Sequence, residues 1–180
     1  MSKTQEVFVV QFYNTATDTT SWIMERIRTN LRQESKADIE YISRLSSPEE
    51  VVENLYYATT TMVCKIDNDI VGFATLDAYN CIKNLYVFSK YRRNGYGKKL
   101  AETIIENATT RYQTKCYAKI RKTNIPSLLL FESLGFSSTA CSDNVFTYEK
   151  SIGDNTPYYV TCSVVMKIRR YVKQLFGKLL

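Results

Sequence analysis

The sequence predicts an α/β protein whose single domain is built on a mixed sheet. Short apolar runs rich in β-branched and aromatic residues alternate with segments of helical period in the centre of the chain. Pairs of such runs joined by turns indicate hairpins towards both ends. A length of 180 residues suits one domain, and no repeat, low-complexity tract or linker divides the chain.

The first half is predicted to hold four strands and two helices. The strands are Val7–Phe12, Thr61–Ile66, Ile70–Asp77 and Cys81–Phe88, the last three joined by tight turns. One helix runs from Thr19 to about Gln33, capped by Asp18, because its apolar residues recur at helical spacing. Another begins at the capping box that Ser47 and Glu50 form around Pro48, and it ends near Tyr57.

The second half begins with a polar loop, Ser89–Gly97, followed by a helix at Lys98–Thr110. The remaining predicted elements are a strand at Lys115–Ile120, a short helix at Ser127–Leu134, an antiparallel pair at Val145–Ser151 and Tyr158–Lys167, and a last helix from Ile168 to about Leu179. Ile125-Pro126 precedes the short helix and Gly135 ends it.

The composition excludes several kinds of chemistry. The chain has no histidine, which removes Ser–His and Cys–His pairs, a histidine base and histidine-ligated zinc. Its five cysteines are widely spaced and form no CxxC motif, so we expect no metal and read them as reduced thiols of a cytoplasmic protein. No run of 18 apolar residues is present, and the first residues do not resemble a signal peptide.

The net charge of +6 is concentrated at one end. All five charged residues after Asp154 are cations, which leaves 19 cations and 18 anions in residues 1–154. We expect residues 168–180 to form a basic amphipathic helix. It would pack on the domain or at a homodimer interface, in preference to contacting nucleic acid or an acidic membrane surface.

The loop before the Lys98 helix carries the strongest chemical signal. Gly95 and Gly97 permit backbone angles closed to other residues, so amide groups can converge at the start of the helix. Such a helix start binds anions, and Arg92, Arg93 and Lys98 add positive charge around it. A phosphate or pyrophosphate is the ligand expected here, although the Walker and dinucleotide glycine patterns are both absent. A plain strand-to-helix turn is the alternative.

Two motifs resemble the GCN5-related N-acetyltransferase (GNAT) superfamily. Arg92-x-x-Gly95-x-Gly97 is similar to its [QR]-x-x-G-x-[GA] signature, and Ile82–Val87 resembles the strand before it. The segment Asn124-x-x-Ser127-x-x-Leu130-Phe131-x-x-x-Gly135-Phe136 is similar to a second block of the family. Ile70–Ala74 and Val164–Lys167 resemble further strands, so the likeness spans roughly residues 7–167 in the expected order.

The resemblance implies a mostly antiparallel sheet of about seven strands flanked by helices, with residues 1–167 as the acetyltransferase domain. It also implies that acetyl-CoA binds where the fourth and fifth strands separate. The residues implied in cofactor binding are Leu85, Tyr86, Val87, Arg92, Arg93, Asn94, Gly95, Tyr96, Gly97, Lys98, Asn124, Ser127 and Phe131. For Asn124 the alternative is a helix cap.

The implied reaction is direct attack of a primary amine on the thioester in a ternary complex, with a backbone N–H near Tyr86–Val87 stabilising the developing oxyanion. The sequence departs from the family twice. Phe131 stands where a tyrosine often protonates the leaving thiolate, and Lys83 stands near the usual carboxylate base.

Two explanations keep the enzyme active: other residues take over the missing acid and base roles, or no strong acid is needed. The candidate acids are Tyr86, Tyr117 and Tyr79, and the candidate base is Asp77 or a water that it holds. An acyl intermediate on Cys116 is less favoured than a buried structural thiol. The alternative function is a weak or inactive module that binds CoA or a macromolecular partner through its basic tail.

Overall fold

The computed structural model describes residues 9–13, 18–42, 47–109 and 113–153, with side chains described from residue 21 onward. Seven strands form one sheet in the order β1-β2-β3-β4-β5-β7-β6. They are β1 (Val9–Tyr13), β2 (Thr60–Ile66), β3 (Asp69–Leu76), β4 (Cys81–Val87), β5 (Lys115–Arg121), β6 (Ser137–Ser142) and β7 (Val145–Ser151). The helices are α1 (Asp18–Leu31), α2 (Lys36–Glu40), α3 (Pro48–Tyr56), α4 (Tyr96–Thr109) and α5 (Ile125–Ser133).

The sheet is antiparallel at every ladder except the one between β4 and β5. That parallel ladder contains only two residue pairs, Cys81 with Tyr117 and Ile82 with Ala118. The prediction of a mixed, mostly antiparallel sheet of about seven strands is therefore confirmed. The short parallel ladder matters most for the site, because it lets β4 and β5 separate beyond Ile82.

Helices cover the sheet on both faces and bury two apolar clusters. On one face, Ile23 and Ile27 of α1 pack with Val51 of α3 against Phe73 and Phe88. On the other face, the predicted apolar stripe of α4 packs against the alternate side chains of the same strands, joined by Phe131 of α5. Because a strand presents successive residues to opposite faces, β4 contributes to both clusters.

Several predicted boundaries move by one to three residues. The capping box at Ser47 is confirmed, with Ser47 and Glu50 bonded reciprocally. Helix α4 begins at Tyr96, two residues before the predicted start, and α5 takes Pro126 into its first turn. Proline is tolerated there because its missing N–H would have no partner in that turn.

Two elements were not predicted. Helix α2 has only five residues, too few to show a helical period, and it is fixed by its cap at Ser35. Strand β6 is exposed at every residue and lacks apolar alternation, so its strand conformation comes from pairing with β7. The linking residues Asp143 and Asn144 both have positive φ, which suits a tight hairpin.

The predicted pairing of Val145–Ser151 with Tyr158–Lys167 is wrong. Strand β7 pairs with β5 on one side and β6 on the other, so both of its edges are occupied. Residues 158–167 themselves, and the predicted helix at 168–180, lie outside the described residues. In the described ranges, no helix is long and apolar enough to cross a membrane.

Candidate active site

The loop from Arg92 to Gly97 forms a turn whose amides converge at the start of α4. Arg93 and Gly95 have φ of +69° and +81°, and these left-handed residues alternate with others in a nest-like turn. Lys99 N donates to Gly95 O at 3.1 Å, which is the first bond of the helix. The amides of Gly97 and Lys98 precede that bond, so they have no partner within the helix.

The rest of this loop supports the same arrangement. Asn94 Nδ2 donates to the carbonyls of Tyr91 and Arg92, which fastens the turn from inside. The Tyr96 side chain is buried in the core and anchors the first turn of α4. Arg93 and Lys98 are exposed, so their charges face the solvent around the amides.

A second feature of the site is the unpaired edge of β4. The N–H groups of Asn84 and Phe88 point towards β3, where they are bonded to Thr75 Oγ1 and Val71 O. Alternation along the strand directs the N–H and C=O groups of Leu85 and Val87 to the opposite edge, towards β5. Since the β4–β5 ladder ends at Ile82, these groups face a cleft.

Two adjoining cavities occupy this cleft. The first, about 360 Å³, lies between the Arg92–Gly97 loop and α5. It is lined by Asp38, Tyr41, Leu85, Tyr86, Val87, Arg92, Gly97, Thr123, Asn124, Pro126, Ser127 and Leu130. The predicted residues Leu85, Tyr86, Val87, Arg92, Gly97, Asn124 and Ser127 are thus brought together.

The second cavity, about 370 Å³, lies between the separated strands β4 and β5. Its lining includes Lys83, Lys119, Arg121 and Phe131, and it shares Tyr41, Leu85, Asn124 and Ser127 with the first cavity. The two cavities therefore form one groove that runs from the start of α4 into the space between the strands.

The Arg92 side chain turns away from the loop amides and into a network of acids. Its guanidinium donates to Asp38 Oδ1 at 2.7 Å, to Glu34 Oε2 at 3.4 Å and to Tyr86 Oη at 2.9 Å. Its Nε donates to Val87 O at 3.0 Å. Arg92 thus braces the loop by its side chain, and its positive charge is already paired with carboxylates.

Glu34 lies at the centre of this network, with its side chain only 4% exposed. It accepts hydrogen bonds from the Tyr86 phenol, from Ser89 N at 3.1 Å and from Ser89 Oγ at 2.8 Å. A buried carboxylate is costly unless its oxygens are satisfied, and here donors surround it. The contacts fix the connection between α1 and α2 to the segment that leaves β4.

Tyr86 is a candidate acid whose phenol is already engaged. Its side chain is buried among Phe73 and Phe88, and its phenol binds Glu34. Burial, followed by the hydrogen bond and charge of Glu34, raises the pKa of Tyr86 far above its ordinary value. A phenol with so high a pKa is a weak proton donor.

Asp77, the candidate base, holds a turn. Its Oδ1 accepts from Tyr79 N at 2.8 Å and Cys81 N at 2.9 Å, and its Oδ2 lies 3.2 Å from Lys83 Nζ. Asp77 and Tyr117 are not among the residues that line the two cavities of the groove. Tyr79, in the same turn as Asp77, is 75% exposed.

Cys116 is fully buried on β5, and burial raises the pKa of its thiol to about 12. A thiol that resists ionisation to this extent is a poor nucleophile, because the reactive form is the thiolate. The interpretation of Cys116 as a structural residue is the one that its surroundings favour. The described cysteines Cys64, Cys81, Cys116 and Cys141 are free thiols.

Asn124 caps α5, with its Oδ1 accepting from Ser127 N at 3.4 Å. Because only the oxygen is used, the side-chain amide remains a donor at the junction of the two cavities. Phe131 is 2% exposed and packs edge-on against Phe136 with ring centroids 5.0 Å apart. It contributes an apolar wall to the second cavity.

Three residues of the site, Glu34, Asp38 and Tyr41, were not predicted from the sequence. All three lie around α2, the helix that was too short to recognise by its period. The available signal was Ser35-x-x-Asp38, an N-cap pattern in which Asp38 N donates to Ser35 Oγ at 3.1 Å. The Ser35 hydroxyl and then Arg92 hold the pKa of Asp38 below its usual value, so Asp38 stays ionised beside Arg92.

Comparison with solved structures finds the same fold in several proteins. The structure of yncA from Salmonella typhimurium with acetyl-CoA shares 16% identity, with a TM-score of 0.61 over 85% of this chain and 98% of that one. The ribosomal-protein-S18-alanine N-acetyltransferase of Escherichia coli shares 15% identity, with a TM-score of 0.60 over 85% of this chain and 100% of that one. The GNAT domain of S. lividans PAT shares 15% identity, with a TM-score of 0.66 over 79% of this chain and 90% of that one. No curated protein matches the sequence.

Comparison with protein families gives a direct assignment. The sequence model of the Acetyltransferase (GNAT) family matches residues 22–136, which is more than half of the chain. The match includes the Arg92–Gly97 loop, the open edge of β4 and all of α5. The resemblance inferred from the two motifs is confirmed, and the chain belongs to the acetyltransferase (GNAT) family as an N-acetyltransferase.

Proposed function

We propose that the protein binds acetyl-CoA along the groove and transfers its acetyl group to a primary amine in a ternary complex. The observation that carries this proposal is the unpaired edge of β4 beside the amide-rich start of α4. Acetyl-CoA has a pyrophosphate and an amide-bearing arm, and the groove offers a matching donor set for each. Family membership and a relative solved with acetyl-CoA support the same ligand.

The pyrophosphate would lie on the amides of the Arg93–Lys98 turn. Backbone N–H groups and the positive end of the helix dipole favour an anion there. The exposed cations of Arg93 and Lys98 add attraction without a fixed geometry. The Arg92 side chain acts indirectly, because its contacts with Glu34 and Asp38 hold the loop in place.

The amide-bearing arm would pair with the open edge of β4 as an added strand. Leu85 and Val87 direct backbone groups into the groove, and the Asn124 amide is a further donor across from them. Val87 O already accepts from Arg92 Nε, so the Leu85 groups and the Val87 N–H carry most of this pairing. Ser127 and Phe131 complete the opposite wall.

Acetyl-CoA supplies an activated acetyl group, so an N–C bond to the acceptor forms while the C–S bond breaks, and CoA leaves as its thiol. The acceptor amine would enter through the second cavity, between β4 and β5. We assign the Leu85 N–H as the donor to the developing oxyanion, because Leu85 lines both cavities and the Tyr86 N–H points towards β3.

A side chain that protonates the leaving thiolate would be one other than Phe131, which has no proton to give. Of the tyrosines in the described part of the chain, Tyr41 is the one that lines both cavities. It is 48% exposed, so its phenol can exchange protons with solvent. We therefore place Tyr41 ahead of the sequence candidates as the acid for the leaving thiolate. Tyr86, Tyr117 and Asp77 stay predictions.

The remaining parts of the proposal concern the protein's location, its oligomeric state and its basic C-terminal residues. A cytoplasmic location agrees with the free thiols in the described chain. A homodimer remains a proposal, as does the role of the basic residues 168–180, which lie outside the described residues. No cluster of three or more potential metal ligands occurs in the described ranges.

Calorimetric titration with acetyl-CoA tests the binding site, with Gly97→Leu as the diagnostic variant. A Cβ at Gly97 would lie 3.6 Å from Val87 Cγ2, an ordinary contact, so the variant should fold while its side chain fills the first cavity. We expect at least a tenfold loss of affinity. Glu106→Leu, exposed near the far end of α4, is the control and should bind as the wild type does. No binding by the wild-type protein at millimolar acetyl-CoA would contradict the proposal.

A further inference from the structure

The second cavity of the groove has an unusual charge for a site that receives an amine. Its lining contains three cationic residues, Lys83, Lys119 and Arg121, and no aspartate or glutamate. The first of these is neutralised, because Lys83 Nζ lies 3.2 Å from Asp77 Oδ2. Lys119 and Arg121 have no carboxylate within ion-pair distance among the residues that the structure describes.

The position of these two cations follows from β5. Lys119 and Arg121 are two residues apart on one strand, so both side chains project from the same face of the sheet. Lys115 shares that face, but it is paired with Glu149 at 2.6 Å and does not line the cavity. The positive potential is therefore confined to the end of β5 where the two strands have separated.

The phosphates of acetyl-CoA do not account for this charge. The anion-binding amides lie at the Arg93–Lys98 turn, which borders the first cavity, whereas Lys119 and Arg121 line the second. The shared stretch at Leu85 and Asn124 separates the two ends of the groove. The cations at the β5 end are thus left for the acceptor.

We propose, resting on the function proposed above, that the acceptor is a primary amine that carries a carboxylate or phosphate group, held by Lys119 and Arg121. An anionic group would gain a charge-assisted contact with each cation. Polycationic amines, such as polyamines and aminoglycosides, would be repelled for the same reason.

The same cations explain how the site works without a carboxylate base. A like charge nearby disfavours the protonated form of an amine and lowers its pKa. Lys119 and Arg121 would therefore increase the fraction of acceptor present as the neutral nucleophile. The anionic group of the acceptor secures binding, while the cations promote loss of the proton from its ammonium group to solvent water.

Acetyl transfer to pairs of amines that differ only in the anionic group tests the proposal. The probes are phosphoethanolamine against ethanolamine, glutamate against its diamide, and spermidine as the polycation, with CoA release and product mass as readouts. We expect kcat/KM to be at least tenfold higher for the anionic member of at least one pair. The phosphate and carboxylate arms then identify the group that is recognised.

In the variant Lys119→Gln/Arg121→Gln, the preference for the anionic amine should fall at least tenfold, while the affinity for acetyl-CoA stays within twofold of the wild-type value. Lys115→Gln, on the same strand and face, should retain the preference. Equal or faster transfer to neutral or polycationic amines would overturn the inference and leave the acetyltransferase proposal intact. Weaker acetyl-CoA binding by the double variant would also overturn it, because the cations would then serve the co-substrate. No transfer to any amine would contradict both proposals.

Discussion

The two edges of strand β4 differ in how their backbone groups are satisfied. Towards β3 the ladder extends over five residue pairs, and side chains such as Thr75 complete it. Towards β5 only two pairs form, and the groups beyond Ile82 face the groove. The closed edge therefore specifies the structure, while the open edge supplies ligand-binding groups. Substitutions at the closed edge should act on stability, and those at the open edge on binding or turnover.

The largest effect is expected for Gly72→Ala at the closed edge. A Cβ at Gly72 would overlap Tyr86 O and lie 3.1 Å from Val87 Cα, and neither backbone atom can move without breaking the ladder. We expect a loss of about 3 kcal/mol in the free energy of unfolding, measured by urea denaturation. Gly97→Ala, in the first turn of α4 beside the open edge, meets only ordinary contacts and is the control. Equal stability of the two variants would contradict the comparison.

Glu34→Ala should come next, with a loss of about 2–3 kcal/mol in the free energy of unfolding. The substitution leaves the Tyr86 phenol, Ser89 N and part of the Arg92 guanidinium without their acceptor. Acetyl-CoA affinity should fall too, because the bracing of the Arg92 loop is weakened. Glu25→Ala removes an exposed carboxylate from α1, the helix that precedes Glu34, and should cost less than 1 kcal/mol. A free energy of unfolding for Glu34→Ala equal to that of the wild type would show that the network does not contribute to stability.

Tyr41→Phe tests the chemistry of the groove that the open edge faces, and it should leave the fold unchanged. If the Tyr41 phenol protonates the leaving thiolate, its removal should lower kcat about tenfold, at the weak end of acid–base effects, because a thiolate is a fair leaving group. Acetyl-CoA affinity should stay within twofold. Tyr79→Phe alters an exposed phenol outside the groove and is the matched control. An unchanged kcat for Tyr41→Phe would remove this residue from the mechanism.

The smallest effect concerns the alkaline stability of the closed edge. The pKa of Tyr86 is higher in the folded protein than its value of about 10 in the unfolded chain. The stability that the protonated phenol contributes is therefore fully present below about pH 10, and it is lost as the pH rises towards the pKa of the folded state. Between pH 8 and 10.5 the wild type should lose about 0.8 kcal/mol more than Tyr86→Phe, since only the unfolded phenol ionises. Urea denaturation at both pH values measures this difference. Parallel losses in the two proteins would show that Tyr86 ionises freely when folded.

Local sequence patterns were sufficient for the parts of the site made by one segment. The glycine pattern located the amide turn, because the conformation of a turn depends mainly on its own residues. The expectation of unusual backbone angles is confirmed at Gly95, whereas Gly97 has no positive φ and the other left-handed residue of the turn is Arg93. Asn124 was named for cofactor binding through the family resemblance, and the alternative, a helix cap, is the role that its contact with Ser127 N shows. The apolar runs of β2 to β4, rich in β-branched and aromatic residues, identified the sheet strands around the open edge.

Tertiary contacts decided what the sequence analysis did not foresee. Arg92 was expected to add charge for a phosphate, but its guanidinium meets Glu34 and Asp38, which are more than 50 residues away in the chain. Strand β6 has no apolar face, and its pairing with β7 depends on a partner rather than on its own composition. Long-range pairing of this kind leaves no periodic signal in a single sequence.

The two-pair ladder between β4 and β5 also bears on how the molecule opens. Along the sheet, the strands on either side of this ladder are joined by longer antiparallel pairings, so the β4–β5 junction is the sheet's weakest seam. Local opening should therefore begin there, and amide hydrogens at the end of β5 nearest the groove should exchange early. A ligand that bridges both strands would close this seam and raise the melting temperature in proportion to the logarithm of its concentration. Substrate occupancy would then complete the sheet as well as start the reaction.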